Sequence, residues 1–429
     1  MSDVVLRMRN AEREAGDGRR EAGDPAADAD GPGRAPARSD AHDVLLTELC
    51  SVLFASLPRA DQRRKGVEYL RGLLGAEGRK SIRNIARLIG GQATEQNLHH
   101  FISSSTWDWD PVRAALAQYV TAVAPPRAWV VRQTVIPKAG EHSVGVDRRF
   151  ISSLGQVLNA QQAIGVWSAS DEVSMPVNWR LHLSQAWLDD VPRRSQASIP
   201  ASVNTRSLGD CAVAAVLELT SAWGLPARPV VADVRETDGM KVVRRLRTGG
   251  VPFMVRVNST LPLVPVDGGP AGPGAEAVPA HRIIGAHQGR CRPVAWTDHG
   301  TGGGRRTDLV AAVRVADPAG SARLPGAGGR PRGAGGELLL LGAGAPGRRW
   351  PQELWLATAP DLPPATLFRL SRLTGRVERD FEGIADRTGI RDYTGRSFNG
   401  WHRHVTLASA AHAVAALANT GDRPLRRAC

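Results

Sequence analysis

The chain of 429 residues reads as an α/β protein preceded by a helical region, and three observations carry that reading. Apolar residues recur at helical spacing through residues 42–125. From about residue 127, short apolar runs alternate with amphipathic segments, the pattern of strands joined by helices. A Gly-, Pro- and Arg-rich stretch over 267–349 then interrupts the alternation before further helical segments.

Taken in order, residues 1–41 are rich in Ala, Gly, Asp, Arg and Pro and hold little to bury, so a disordered tail is expected. Both charge signs are mixed there, unlike a basic DNA-binding arm. Residues 42–125 form the helical domain. DVLLTELCSVLFASL has helical spacing, and Gly75 closes VEYLRGLLG as a C-cap. SIRNIARLIGG stops on Gly90 and Gly91, and TEQNLHHFISSS restarts on the N-cap Thr94. Asp110-Pro111, a cap followed by proline at the first helical position, opens VRAALAQYVTAV. The SIRNIARLIGG–TEQNLHHF pair has the outline of a DNA-reading helix-turn-helix, and equally that of a plain helical hairpin.

In residues 126–266, AWVVRQTVIP, HSVGVDRRFISSLG and AIGVWSAS read as strands. SLGDCAVAAVLELTSAWGL is an amphipathic helix ending on Gly224. ARPVVADVRE is a buried strand finishing at Asp233, MKVVRRLRTGG a helix and PFMVRV a strand. Residues 267–349 read as a β-rich insertion with TDLVAAVRVA and ELLLLGAG between flexible loops. Within 350–420, QELWLATAP is a strand, PPATLFRLSRLTGRVERDFEGIADRTG one long helix and WHRHVTLASAAHAVAALAN the last helix. Residues 421–429 carry a basic tail, and no tandem repeat is present.

Composition narrows the function. The formal net charge is +13 and the sequence pI about 10.7. Lysine occurs only at Lys65, Lys80, Lys138 and Lys241, so arginine supplies nearly all the positive charge. Arginine suits planar, bidentate contacts to phosphate, and GC-rich codons supply it too; both causes stand. A polyanionic partner is expected. No apolar run of 18 residues exists, so no membrane partner is expected. The first residues lack the apolar core of a signal peptide. Cys50, Cys211, Cys291 and Cys429 are isolated, which argues against a disulfide framework or zinc ribbon and for a reduced, cytoplasmic protein.

No Walker loop, HExxH, GxSxG or Rossmann fingerprint is present. What remains is a carboxylate pattern. Asp233 ends a buried strand, where α/β folds present polar groups to ligands. Glu378 and Asp380 stand far downstream on a helix. Carboxylates from a strand end and a helix can hold two Mg²⁺ ions, which activate a water or 3′-hydroxyl and stabilise the leaving oxygen of a phosphodiester. The bland readings are a cap or loop acid for Asp233 and an exposed helix face for the other two. Lys138, Arg148, Arg149 and Arg403 are candidate contacts to the DNA backbone, with helix packing the default for Arg403. His99 and His100 are adjacent on a helix, and His402 and His404 are two positions apart, the wrong spacing for joint ligation. Trp107 and Trp109 read first as core residues, and as base-stacking groups second.

The order of elements resembles the insertion-sequence transposases with a DDE superfamily endonuclease (RNase H-like) domain. The phrases that carry the resemblance are VGVDRRF, PVNWRLHLSQAWLDD, VVADV, ELWLA, RVERDF and GIRDYTGRSFNGWHRHVTLASAAHA, in that succession across roughly residues 45–418. The resemblance implies an RNase H-like mixed sheet flanked by helices, with a β-rich insertion, preceded by a helical N-terminal domain that binds DNA. It implies DNA strand cleavage and transfer with Mg²⁺ or Mn²⁺, on double-stranded DNA at element ends and target. It also implies a homodimer when assembled on DNA, and a location at the nucleoid.

Carried over by position, the family's second acid falls on Asp233 and its third on Glu378. The first, which normally ends the first core strand, falls on Arg132. A guanidinium cannot ligate Mg²⁺ and repels it. Three explanations stand: another acid such as Asp147 or Asp171 supplies the ligand; the chain is a decayed copy; or it is a retained DNA-binding protein that no longer cuts. Arg132 could also pair with Asp233 as a structural salt bridge.

Overall fold

Five helices open the chain: α1 (Ala35–Leu53), α2 (Ala60–Gly75), α3 (Ile82–Ile89), α4 (Glu95–Ser103) and α5 (Trp109–Val123). The computed structural model describes residues 35–90, 94–151, 155–204, 206–266, 276–298, 304–321, 337–358 and 362–421. The start of the N-terminal tail, most of the Gly-rich loops and the basic tail lie outside them. Helix α1 begins inside the stretch read as a disordered tail, where alanines and Arg38 favour a helix. Ser81 and Thr94 cap α3 and α4, each accepting a backbone N–H three residues on. The cap of α5 is Asp108, which accepts from the Asp110 backbone, so the Asp110-Pro111 reading was two residues late.

The sheet begins with β1 (Ala128–Pro137), β2 (Asp147–Ile151), β3 (Gln156–Ala169) and β4 (Ser174–Leu181). β3 pairs antiparallel with β1, β2 and β4. After two short helices, α6 (Gln185–Asp189) and α7 (Val191–Gln196), the longer α8 (Leu208–Ser221) starts on a reciprocal Ser207–Asp210 capping box. It leads to β5 (Val230–Asp233), parallel to β1. Helix α9 (Gly239–Thr248) leads to β6 (Phe253–Arg256), parallel to β5. Four consecutive antiparallel strands followed by two parallel ones reached through helices make the RNase H-like mixed sheet. Close pairing beside Arg132 needs the small residue opposite it: a Cβ on Gly165 would lie 2.9 Å from the Trp179 ring.

The insertion joins this sheet. β7 (Pro262–Pro265), β8 (Val278–Pro279), the helix α10 (Ala280–Gly285), β9 (Arg292–Asp298), β10 (Gly304–Ala316) and β11 (Glu337–Gly344) precede β12 (Glu353–Ala357). β12 pairs antiparallel with β6, and β11, β10 and β7 follow outward. The described strands thus form one sheet of 12, in the order β2-β3-β1-β5-β6-β12-β11-β10-β7-β8, with β4 on β3 and β9 on β10. Three of the insertion's strands and α10 escape the periodicity reading, because two-to-seven-residue elements give too little pattern.

The expected long helix after β12 is broken into α11 (Pro364–Ser371), α12 (Leu373–Asp380) and a π-helical turn at Phe381–Ala385. The last helix, α13 (Phe398–Gly421), is buried along residues 401–414. It lies between β4 on one side and α1, α2, α4 and α5 on the other. A single apolar core runs from the first helices through the sheet. Among the described residues no helix is long and apolar enough to cross a membrane.

Burying α13 requires that its polar side chains be bonded internally. His404 bonds the Tyr69 hydroxyl at 2.9 Å and the Gly389 carbonyl at 2.8 Å. His412 bonds the Ser174 carbonyl at 2.9 Å, and Trp179 donates to Ser409 at 2.9 Å. Arg113, on α5, reaches across to α13 and β4. It donates to Thr406 (2.9 Å) and to the carbonyls of Trp179 (2.9 Å) and His402 (3.1 Å). These bonds anchor the helical region to the sheet.

Candidate functional site

Parallel pairing places Val131 of β1 beside Ala232 of β5, so the next residues on each strand, Arg132 and Asp233, are neighbours. Helix α12 packs against β1 and brings Glu378 over them. All three line one cleft of about 380 Å³, together with Arg235 and Glu236. Arg132, 17% exposed, grips Glu378 with both prongs: Nε to Oε2 at 2.9 Å and Nη2 to Oε1 at 2.8 Å. Its Nη1 donates to the Thr134 hydroxyl at 2.9 Å, and its guanidinium lies 3.5 Å from the Phe381 ring centroid. Such a two-pronged, stacked arginine is held in one place.

Arg132 therefore pairs with Glu378 and not with Asp233. Asp233 already accepts from the Arg235 side chain (Nη2 to Oδ2, 2.6 Å) and backbone N–H (3.1 Å), and Arg256 stands 3.9 Å away. The acids considered as substitutes do not enter the cleft. Asp147 pairs with Arg149 at 2.7 Å on β2, and Asp171 pairs with Arg127 beyond the start of β1.

A pair of divalent ions does not fit these residues. Both oxygens of Glu378 accept from Arg132, and both oxygens of Asp233 accept from Arg235. Arg132 and Arg235 set two cations among the cleft's carboxylates, Asp233, Glu236 and Glu378, which adds repulsion where the ions would sit. Among the described residues no cluster of three or more His, Cys, Asp or Glu side chains is placed to hold a metal. Asp380, read with Glu378 as a metal-facing acid, is buried and accepts from the Ser174 backbone (2.8 Å) and hydroxyl (2.9 Å).

The candidate DNA contacts separate. Arg403 is 5% exposed and donates to the carbonyls of Trp107 (3.0 Å) and Ile102 (3.1 Å), so it anchors α4 to α13 and cannot reach DNA. Lys138 donates to the carbonyls of Arg391 and Tyr393, and burial pulls its amine down to about 8. It is partly exposed and fastens the segment after the π-turn. Arg149 is held by Asp147 and Gln162. Arg148 is exposed on β2. Trp107 stacks on Phe101 and Trp109 on His402, at centroid distances of 5.2 and 4.3 Å, as core residues do. On α4, Leu98, Phe101 and Ile102 are buried while Glu95, Gln96, Asn97, His99 and His100 face out.

Arg235 and Glu236 line the cleft, Phe381 packs against Arg132 from the core, and none of the three was singled out from sequence. Glu236 had a signal, lying just past the strand end that marked Asp233. Phe381 had none, since its place over Arg132 depends on the packing of α12.

Two comparisons bear on this site. A family model described as DDE superfamily endonuclease matches residues 52–299, more than half of the chain. That span contains Arg132 and Asp233 and ends before Glu378. A probable transposase for insertion sequence element IS701 from Microchaete diplosiphon is 26% identical over 106 residues. The match covers 24% of this chain and 28% of that protein.

Proposed function

The chain belongs to the DDE superfamily endonucleases, and on that footing we propose that it is an insertion-sequence transposase scaffold that binds DNA and whose metal-dependent strand cleavage is disabled at Arg132. The observation that carries this reading is the bidentate Arg132–Glu378 pair beside Asp233. Family chemistry runs on divalent ions held by carboxylates, with in-line displacement at phosphorus driven by positioning and charge neutralisation. Here the position of the first carboxylate carries a cation that also occupies the third. Fold and DNA-facing surfaces are independent of that replacement. The exposed face of α4 and Arg148 on β2 are the contacts we assign to DNA, and joining two element ends would bring two copies together.

The test is Mg²⁺- or Mn²⁺-dependent nicking of supercoiled plasmid by the wild type, Arg132→Asp, and Arg132→Asp combined with Asp233→Ala or Glu378→Ala. The wild type is expected to be silent while shifting duplex DNA in a gel. Arg132→Asp is expected to raise nicking on the order of 10²-fold, and either alanine to abolish the gain. Metal-dependent nicking by the wild type that Asp233→Ala removes would sink the disabled reading and leave an active transposase. Absence of any DNA binding would sink the scaffold reading itself.

A further inference from the structure

Two openings along the sheet differ in charge. The Asp233 cleft is lined by two arginines, Arg132 and Arg235, against three carboxylates, Asp233, Glu236 and Glu378. It offers no net attraction to a phosphate backbone. A second groove of about 540 Å³ opens where the start of β1 and the β3–β4 turn meet the paired strands β9 and β10 and the end of α11. Four arginines line it, Arg127, Arg305, Arg369 and Arg372, against the single carboxylate of Asp171.

The four arginines are not equivalent. Arg127 is neutralised by Asp171, and Arg372 is bound to Glu353. Arg305 and Arg369 are exposed, and neither has a carboxylate partner among the described residues. Arg369 donates its Nε to the Ala295 carbonyl at 3.2 Å, which fixes the stem and turns the guanidinium outward. Trp296 backs the groove, its indole N–H held by Asp308 at 3.0 Å and its ring 5.2 Å from the Arg372 guanidinium. Two outward guanidiniums on fixed strand and helix positions suit two phosphates, since planar forks match phosphate oxygens.

We infer that this groove is a docking surface for the backbone of duplex DNA, separate from the Asp233 cleft. The inference rests on the reading of this family member as a DNA-binding protein. It divides labour: the insertion and α11 add a hold on the duplex to that of α4 and Arg148, and the balanced cleft contributes little to affinity. Neither Arg305 nor Arg369 touches Arg132, Asp233 or Glu378, so the groove can be altered without disturbing the cleft.

The experiment uses the full chain and a fluorescent duplex of random sequence, with affinity followed by anisotropy across a potassium chloride series. Arg305→Glu/Arg369→Glu is compared with Arg228→Glu/Arg247→Glu, which makes the same net-charge change at positions lining neither opening. Each phosphate contact contributes about 0.9 to the slope of log affinity against log salt. The groove variant is expected to lose roughly two contacts' worth of slope and at least about tenfold in affinity at low salt, and the control variant far less. Equal losses in the two variants would overturn the groove and leave only a net-charge effect. Wild-type binding to poly-glutamate but not to duplex, lost in the groove variant, would overturn DNA as the occupant in favour of an acidic protein. No binding of the wild type to either polymer would defeat both the groove and the DNA-binding reading, whereas normal binding by both variants would defeat the groove alone.

Discussion

Arg113 and Arg132 are both held by several fixed partners, yet one lies in the core and the other lines an open cleft. Arg113 is 1% exposed and bonds only neutral acceptors from α13 and β4. Burial lowers it to about 9, so it stays protonated at neutral pH and costs desolvation that five N–H bonds offset. Arg132 faces an open cleft and satisfies itself on a carboxylate that is half exposed. The difference teaches that a buried polar network fixes how the helical region docks, whereas a charge pair at a cleft decides what the cleft can bind. Loss of the first threatens the fold, and loss of the second changes the ligand.

The largest expected effect breaks the buried side of this comparison. Arg113→Ala removes the donor to the Trp179 and His402 carbonyls and the Thr406 hydroxyl and empties a fully buried site, although Thr406 still donates to the His402 carbonyl at 2.8 Å. Destabilisation of roughly 3 kcal/mol or more is expected in urea unfolding, if the variant folds at all. A midpoint equal to that of the wild type would show that α13 is not held as described.

Acid should act next, and on the same network. Burial pulls His404 and His412 down from the usual 6.5 to about 4. Above 6.5 both folded and unfolded forms are neutral and the stabilisation is complete. Between about 6.5 and 4 the unfolded chain takes up protons that the folded chain refuses, so stability falls with pH. The slope is about 1.4 kcal/mol per pH unit for each imidazole. His412→Gln should flatten this loss in urea titrations at stepped pH, and an unchanged slope would remove His412 from the account.

The smallest effect belongs to the cleft. Glu378→Gln removes the charge partner of Arg132, but the carboxylate is 52% exposed and its pair is screened by water. A change of roughly 1 kcal/mol or less in unfolding is expected. A loss as large as that of Arg113→Ala would make the pair a structural clamp rather than a feature of the cleft.

Much of this architecture was legible locally. Thr94 as a cap, the strand ending at Asp233 and the switch from helical to alternating pattern each depend on residues within a few positions of one another. The arrangement at the cleft was only half legible. Arg132 and Asp233 were placed by phrases in the chain, and a salt bridge between them was one option, but Asp233 is held by Arg235 and Arg132 pairs with Glu378. For Arg403 helix packing was the default and DNA contact the alternative, and the choice fell to the tertiary structure, because its partners, the Trp107 and Ile102 carbonyls, lie 296 and 301 positions away.

By itself the sequence determined the class of fold and the order of its main elements, since propensity and caps are properties of short segments. Only the tertiary structure decided that the insertion extends the central sheet, that the helical region is fastened through α13, and that Arg132 closes on Glu378. The last two residues are 246 positions apart. Contacts at that distance are selected by how β1, β5 and α12 pack together, and no local pattern carries that information.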